Sequence, residues 1–86
     1  MNIRTSQDST DTFLYIDCEN STAVNKVAIV VNSDDCRPFV QVTWANGERW
    51  GYRLPSPISL VAMLGEKSVG RFANAVKREA TFACKH

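Results

Sequence analysis

An α+β fold, with an antiparallel β-meander of three or four strands followed by two short helices packed on one face, is predicted by three features of this 86-residue chain. Short apolar runs fill its first two thirds, an Asn46-Gly47 step separates two of them, and two serine-led segments with helical spacing follow. Apolar residues make up 44% of the chain and charged residues 22%, a balance that excludes disorder throughout and supports one packed core. At this length one small domain is expected.

Met1 to Thr12 is mostly Asn, Thr, Ser, Gln and Asp, with almost nothing to bury. Residues 1–12 therefore read as an extended or flexible arm that carries little of the core, and residues 13–86 as the single α+β domain. Phe13 to Cys18 reads as a strand with Leu14, Ile16 and Cys18 on one face and Phe13, Tyr15 and Asp17 on the other. Glu19-Asn20-Ser21-Thr22 is turn chemistry. Val24 to Val31 holds the run Val27-Ala28-Ile29-Val30-Val31, whose β-branched content favours a central, mostly covered strand. Asn32-Ser33-Asp34-Asp35 breaks it, and Pro38 restarts an extended segment.

Phe39 to Leu54 is a β-hairpin, and two registers are open to it. A two-residue Asn46-Gly47 loop pairs Trp44 with Arg49 and leaves Trp50 and Tyr52 on the face opposite Val40, Val42 and Trp44. A three-residue loop, Ala45-Asn46-Gly47 with Gly47 left-handed, pairs Val42 with Trp50 and Val40 with Tyr52, so all the large apolar groups share one face. Burying a Trp and a Tyr removes roughly 150–250 Å² each, on the order of several kcal/mol, which outweighs differences between turn types. The three-residue loop is therefore expected. It leaves Gln41, Thr43, Arg49, Gly51 and Arg53 on a polar, basic outer face, with Phe39 opposite Arg53. Such arginines also serve as ordinary solubility and edge-protecting residues.

Leu54-Pro55-Ser56-Pro57 ends the strand and starts a helix, with Ser56 as N-cap and Pro57 at the first helical position. Ile58, Val61, Ala62 and Leu64 are expected to form its buried stripe and Gly65 a left-handed terminator. Ser68 caps a second helix running to about Glu79. Val69, Phe72, Ala73, Val76 and Ala80 fall on one side of it and Arg71, Asn74 and Arg78 on the other.

Several function classes recede on composition. The longest apolar stretch, Ile58 to Leu64, is far shorter than the roughly 20 residues of a membrane span, and Met1 to Ser6 has no apolar signal segment, so a cytoplasmic protein without membrane contact is expected. Cys18, Cys36 and Cys84 are odd in number and widely spaced, which fits reduced thiols better than zinc, redox or disulfide motifs. The single histidine is His86, so no catalytic pair can be assembled; Cys36, between Asp35 and Arg37, has no identifiable base. No enzyme, cofactor or metal is expected. The net charge of +1 hides an asymmetry: three cations against six acids give −3 over residues 1–40, and seven against three give +4 over residues 41–86. That split permits one basic surface for an anionic partner, although scattered solvating charge would give the same totals.

The order Val40, Val42, Trp44, Asn46-Gly47, then Trp50 and Tyr52, Pro55, a short helix, and Ser68, Gly70, Arg71, Phe72 and Asn74 resembles the KTSC domain, over roughly residues 21–82. That small module occurs alone in bacteria and phages and at the C-terminus of some lysyl-tRNA synthetases. The chain departs from its pattern at Trp50, where the family has tyrosine, at Leu54, where valine is usual, and at Phe82, near the usual terminal tyrosine. The resemblance implies RNA binding, by the family's association with its host synthetases. Within the matching segment, Lys67, Ser68, Gly70 and Arg71 surround a helix start, where free N–H groups and the helix dipole favour an anion; the same serine and glycine also serve as cap and packing residues.

The expected function is thus a small non-enzymatic binding module that holds RNA or another nucleic acid by its backbone. The nucleic-acid or anion-binding residues are Arg49, Arg53, Lys67, Ser68, Gly70, Arg71, Lys77 and Arg78. Phe13, Tyr15 and Phe39 are the outward aromatics available for stacking. The alternative is a protein-interaction module, such as a phage-encoded inhibitor that docks on a host protein, suggested by small size, an acidic first half and strand edges.

Overall fold

In the computed structural model, which describes residues 1–86, six antiparallel strands pair strictly in chain order. They are β1 (Ile3–Gln7), β2 (Asp11–Ile16), β3 (Val24–Asn32), β4 (Phe39–Trp44), β5 (Arg49–Arg53) and β6 (Phe82–Lys85). Two helices, α1 (Pro57–Met63) and α2 (Val69–Glu79), lie between β5 and β6 in the chain. The class is α+β as expected, but three or four strands is too few.

The two additional strands are the sheet's margins, and neither buries anything. All five residues of β1 and all four of β6 are exposed. Backbone pairing is their main tie: Ile3 lies opposite Ile16 and Thr5 opposite Leu14 at one margin, Tyr52 opposite Ala83 and Trp50 opposite Lys85 at the other. A strand defined by its ladder hydrogen bonds, without a covered face, has no apolar alternation to read. The segment 1–12, expected to be an arm, thus supplies β1 and the first two residues of β2. It contributes nothing to the buried core.

The hairpin adopts the three-residue loop. Gly47 alone has a positive φ, 89°. Its N–H donates to the Trp44 carbonyl, and the Trp44 N–H donates to the Glu48 carbonyl, both at 2.9 Å. Val42 then faces Trp50 and Val40 faces Tyr52. Tyr52 is buried and Trp50 half-buried, their rings stacked with centroids 6.2 Å apart.

Ile16, Val27, Ile29, Val40, Val42 and Tyr52 form the inner face of the sheet, closed by Leu54 and by Leu60, Met63, Val69, Phe72, Ala73 and Val76 from the helical layer. Each large side chain so covered contributes roughly 1.5–3 kcal/mol. Helix α2 is capped as expected: the Ser68 hydroxyl accepts from the Arg71 N–H at 3.2 Å, and Phe72, Ala73 and Val76 point inward.

Helix α1 corrects the expected stripe. Ser56 caps it and Pro57 begins it, but Leu60 and Met63 are buried while Ile58 is 80% and Val61 69% exposed. At 100° per residue the pairs Ile58/Val61 and Leu60/Met63 lie on nearly opposite faces, so this short helix carries two competing apolar stripes and packing chooses between them. Gly65 is not left-handed, since Gly47 holds the only positive φ; α1 ends with the Leu64 N–H donating to the Leu60 carbonyl.

Candidate nucleic-acid interface

Because both helices cover one side, alternation within each strand decides what the other side presents. The strand registers arrange this open face in transverse rows. One row runs Ser6, Phe13, Val30, Phe39, Arg53 and Phe82; the next runs Arg4, Tyr15, Ala28, Gln41, Gly51 and Cys84; a third holds Lys26, Thr43 and Arg49. The first two rows contain no acid. Asp11 lies beyond them at one end, where its carboxylate accepts from the Asn32 amide at 2.7 Å.

Phe13, Tyr15 and Phe39 are each half-buried, so each ring is partly open to solvent. Adjacent strands are roughly 4.8 Å apart, which places Phe13 and Phe39, two strands from one another, about 10 Å apart. Gly51 is what lets Phe39 lie across the sheet: a Cβ there would overlap the Phe39 ring and come within 2.8 Å of the His86 Nε2. The Arg53 guanidinium sits 4.8 Å from the Phe39 ring centroid and donates to the Arg37 carbonyl at 3.0 Å. Arg4 stands 5.8 Å over the Tyr15 ring. Beside them a hollow of about 220 Å³ is lined by Gln41, Thr43, Arg49 and His86.

Direct ion pairs are scarce on this face. Of ten Lys and Arg residues only Arg37, bound to Asp35, and Lys85, bound to Glu48, have a carboxylate within ion-pair distance. Arg4, Lys26, Arg49 and Arg53 therefore form no ion pair, Arg53 acting on Asp35 only at longer range.

The other residues expected to bind anions lie in the helical layer, so the eight do not form one surface. Lys67, Ser68 and Gly70 line a cleft of about 420 Å³ at the start of α2, which also contains Asp17 and Asn20. The Ser68 hydroxyl is taken up in the cap, and a Cβ on Gly70 would meet Ala23 at an ordinary 3.7 Å. Arg71 and Arg78 are exposed on α2, and Lys77 stands 5.9 Å over the Trp44 ring. Arg4 and Lys26 were not among the expected contacts because they belong to the acidic half of the chain; only the pairing of β1 with β2 and of β3 with β4 brings them to the basic face.

Four titratable groups depart clearly from ordinary behaviour, among them Arg37, raised by its hydrogen bond to Asp35. Hydrogen bonds from the Arg37 side chain and backbone hold the Asp35 carboxyl down at about 2. The Trp50 indole N–H, at 3.0 Å, and then Lys85 lower Glu48. Burial, then Asp17, raises Cys18. No group of three His, Cys, Asp or Glu side chains comes together. No helix is long and apolar enough to cross a membrane. Protein-family models, curated proteins and solved structures give no match to the chain.

Proposed function

We propose that the protein is a non-enzymatic module that binds single-stranded RNA across its open sheet face. One observation carries this reading: three half-open aromatic rings, in rows that contain no acid, share a face with four cations that form no ion pair. Bases stack on such rings whatever their sequence, and the cations meet the phosphates. The resemblance to the KTSC domain supports the same reading through its occurrence in lysyl-tRNA synthetases. Three free thiols, Cys18, Cys36 and Cys84, suit a reducing compartment, so the reading places the protein in the cytoplasm.

The test is a binding titration with mixed-sequence single-stranded RNA at two salt concentrations. With Arg4, Lys26, Arg49 and Arg53 each meeting a phosphate, log affinity falls with log salt at a slope of about −3, or roughly 50-fold between 50 and 200 mM. Phe39→Ala lowers affinity by about fivefold or more, the effect of losing one stacked base. Arg49→Glu with Arg53→Glu abolishes binding, whereas Arg71→Glu with Arg78→Glu on the helical side changes it little. No binding at 50 mM salt, or full binding by the Arg49/Arg53 variant, refutes the proposal.

A second reading, docking on a host protein, is favoured by the exposed Ile58 and Val61 on α1. Ile58→Ser with Val61→Ser distinguishes the two, since it removes that apolar patch and leaves the open face intact.

A further inference from the structure

On the helical side, away from the open face, the inward aromatics do not close completely. Trp44 and Trp50 remain half-buried beside a cleft of about 600 Å³ between the sheet and α2, with Tyr52, Glu48, Asn74 and Lys77 also in its wall. That volume lies within the range of pockets that take small organic ligands. The cleft's polar groups are unequal. Its carboxylate, Glu48, is held by the Trp50 indole N–H at 3.0 Å and by Lys85 at 3.5 Å. Its donors are less engaged: Lys77 forms no ion pair, standing 5.9 Å over the Trp44 ring and acting on Glu48 only at longer range, the Asn74 amide has no hydrogen bond within the protein, and the Tyr52 hydroxyl accepts from Trp44 at 3.4 Å without donating. Indole walls select a flat ring, and unpaired donors select an acceptor or an anion.

We propose that this cleft binds a small planar aromatic anion, its ring against Trp44 and Trp50 and its phosphate or carboxylate on Lys77 and Asn74. The site is separate from the RNA-binding reading, because Arg49 and Arg53 lie on the opposite side of the sheet.

The protein's only two tryptophans both line the cleft, so indole fluorescence reports its occupancy directly. The intact protein is titrated up to about 10 mM with adenosine monophosphate and with nicotinate, and in parallel with adenosine, nicotinamide and inorganic phosphate. Saturable quenching by at least one ring anion is expected, and which one responds distinguishes phosphate from carboxylate. The neutral counterpart binds about tenfold more weakly, and Lys77→Ala reduces the anion to that level without changing the neutral compound, the weight of one charge-assisted hydrogen bond. Lys77 is exposed, so this variant folds. The proposal is overturned by the absence of saturable quenching with both ring anions, by equal affinity of Lys77→Ala and the parent, or by an equal response to inorganic phosphate.

Discussion

Replacing Gly47 by alanine measures the geometry on which both proposed surfaces depend. No heavy atom lies within 4 Å of where the new Cβ would stand, so the substitution introduces no clash. What it does introduce is an L-residue at φ 89°, which costs about 1–2 kcal/mol, partly offset by a stiffer unfolded chain. A net loss of about 1 kcal/mol follows. Asn46 has no positive φ; its side chain only accepts from the Glu48 N–H at 3.0 Å on an exposed loop, so Asn46→Ala costs about 0.5 kcal/mol. In a two-residue type I′ loop both residues would be left-handed and both substitutions would cost about the same. Urea denaturation resolves the difference: with a slope of about 1 kcal/mol/M for a domain this small, Gly47→Ala lowers the midpoint by about 1 M and Asn46→Ala by about half as much. Equal losses, or a larger loss for Asn46→Ala, refute the three-residue loop. They would also put Trp50 and Tyr52 on the face opposite Val40, Val42 and Trp44, dissolving the open face and the tryptophan cleft together.

Three other outcomes are expected. Tyr52→Ala empties a fully covered site and costs about 3–5 kcal/mol in chemical denaturation, whereas Tyr52→Phe loses only a long 3.4 Å bond from a half-open indole and costs under about 1 kcal/mol. In α1, Leu60→Ala destabilises by about 2–5 kcal/mol while Ile58→Ala stays within about 0.5 kcal/mol, the reverse of what the apolar pattern alone suggests. The Asp35 carboxyl titrates at about 2 by NMR and returns toward 3.8 in Arg37→Ala; because its pKa is lowered in the folded protein, whatever stability the pair supplies is complete above pH 4 and is lost as pH falls through 2.

The central strands, the hairpin register and α2 were legible because burial and chain geometry agree there. Val27 and Ile29, Val40 and Val42, and the inward arc of Phe72, Ala73 and Val76 each leave one arrangement that covers every large apolar group. Legibility failed where that agreement was missing. Ile3-Arg4-Thr5-Ser6-Gln7 and Phe82 to Lys85 are exposed throughout, so neither displays the pattern by which a strand is read. In α1 two stripes of equal length competed, and the choice belonged to the packing against the sheet and α2. The outward position of Phe13, Tyr15, Phe39, Arg49 and Arg53 followed from side-chain parity, but the recruitment of Arg4 and Lys26 needed the pairing of strands. That the eight expected anion contacts divide between two sides was beyond sequence reasoning, because nothing local to Lys67 or Arg71 says on which side of a distant hairpin they lie.

Pairing in strict chain order has a dynamic corollary. Strands β1 and β6 bond on one flank only and bury no side chain, so either can peel away while the remaining ladder stays zipped. Amide exchange should then be graded, fastest in these outer strands and slowest in β3 and β4. Since Arg4 rides on β1, a bound polyanion that fastens this flap would slow its exchange first, an unmistakable footprint of occupancy on that margin.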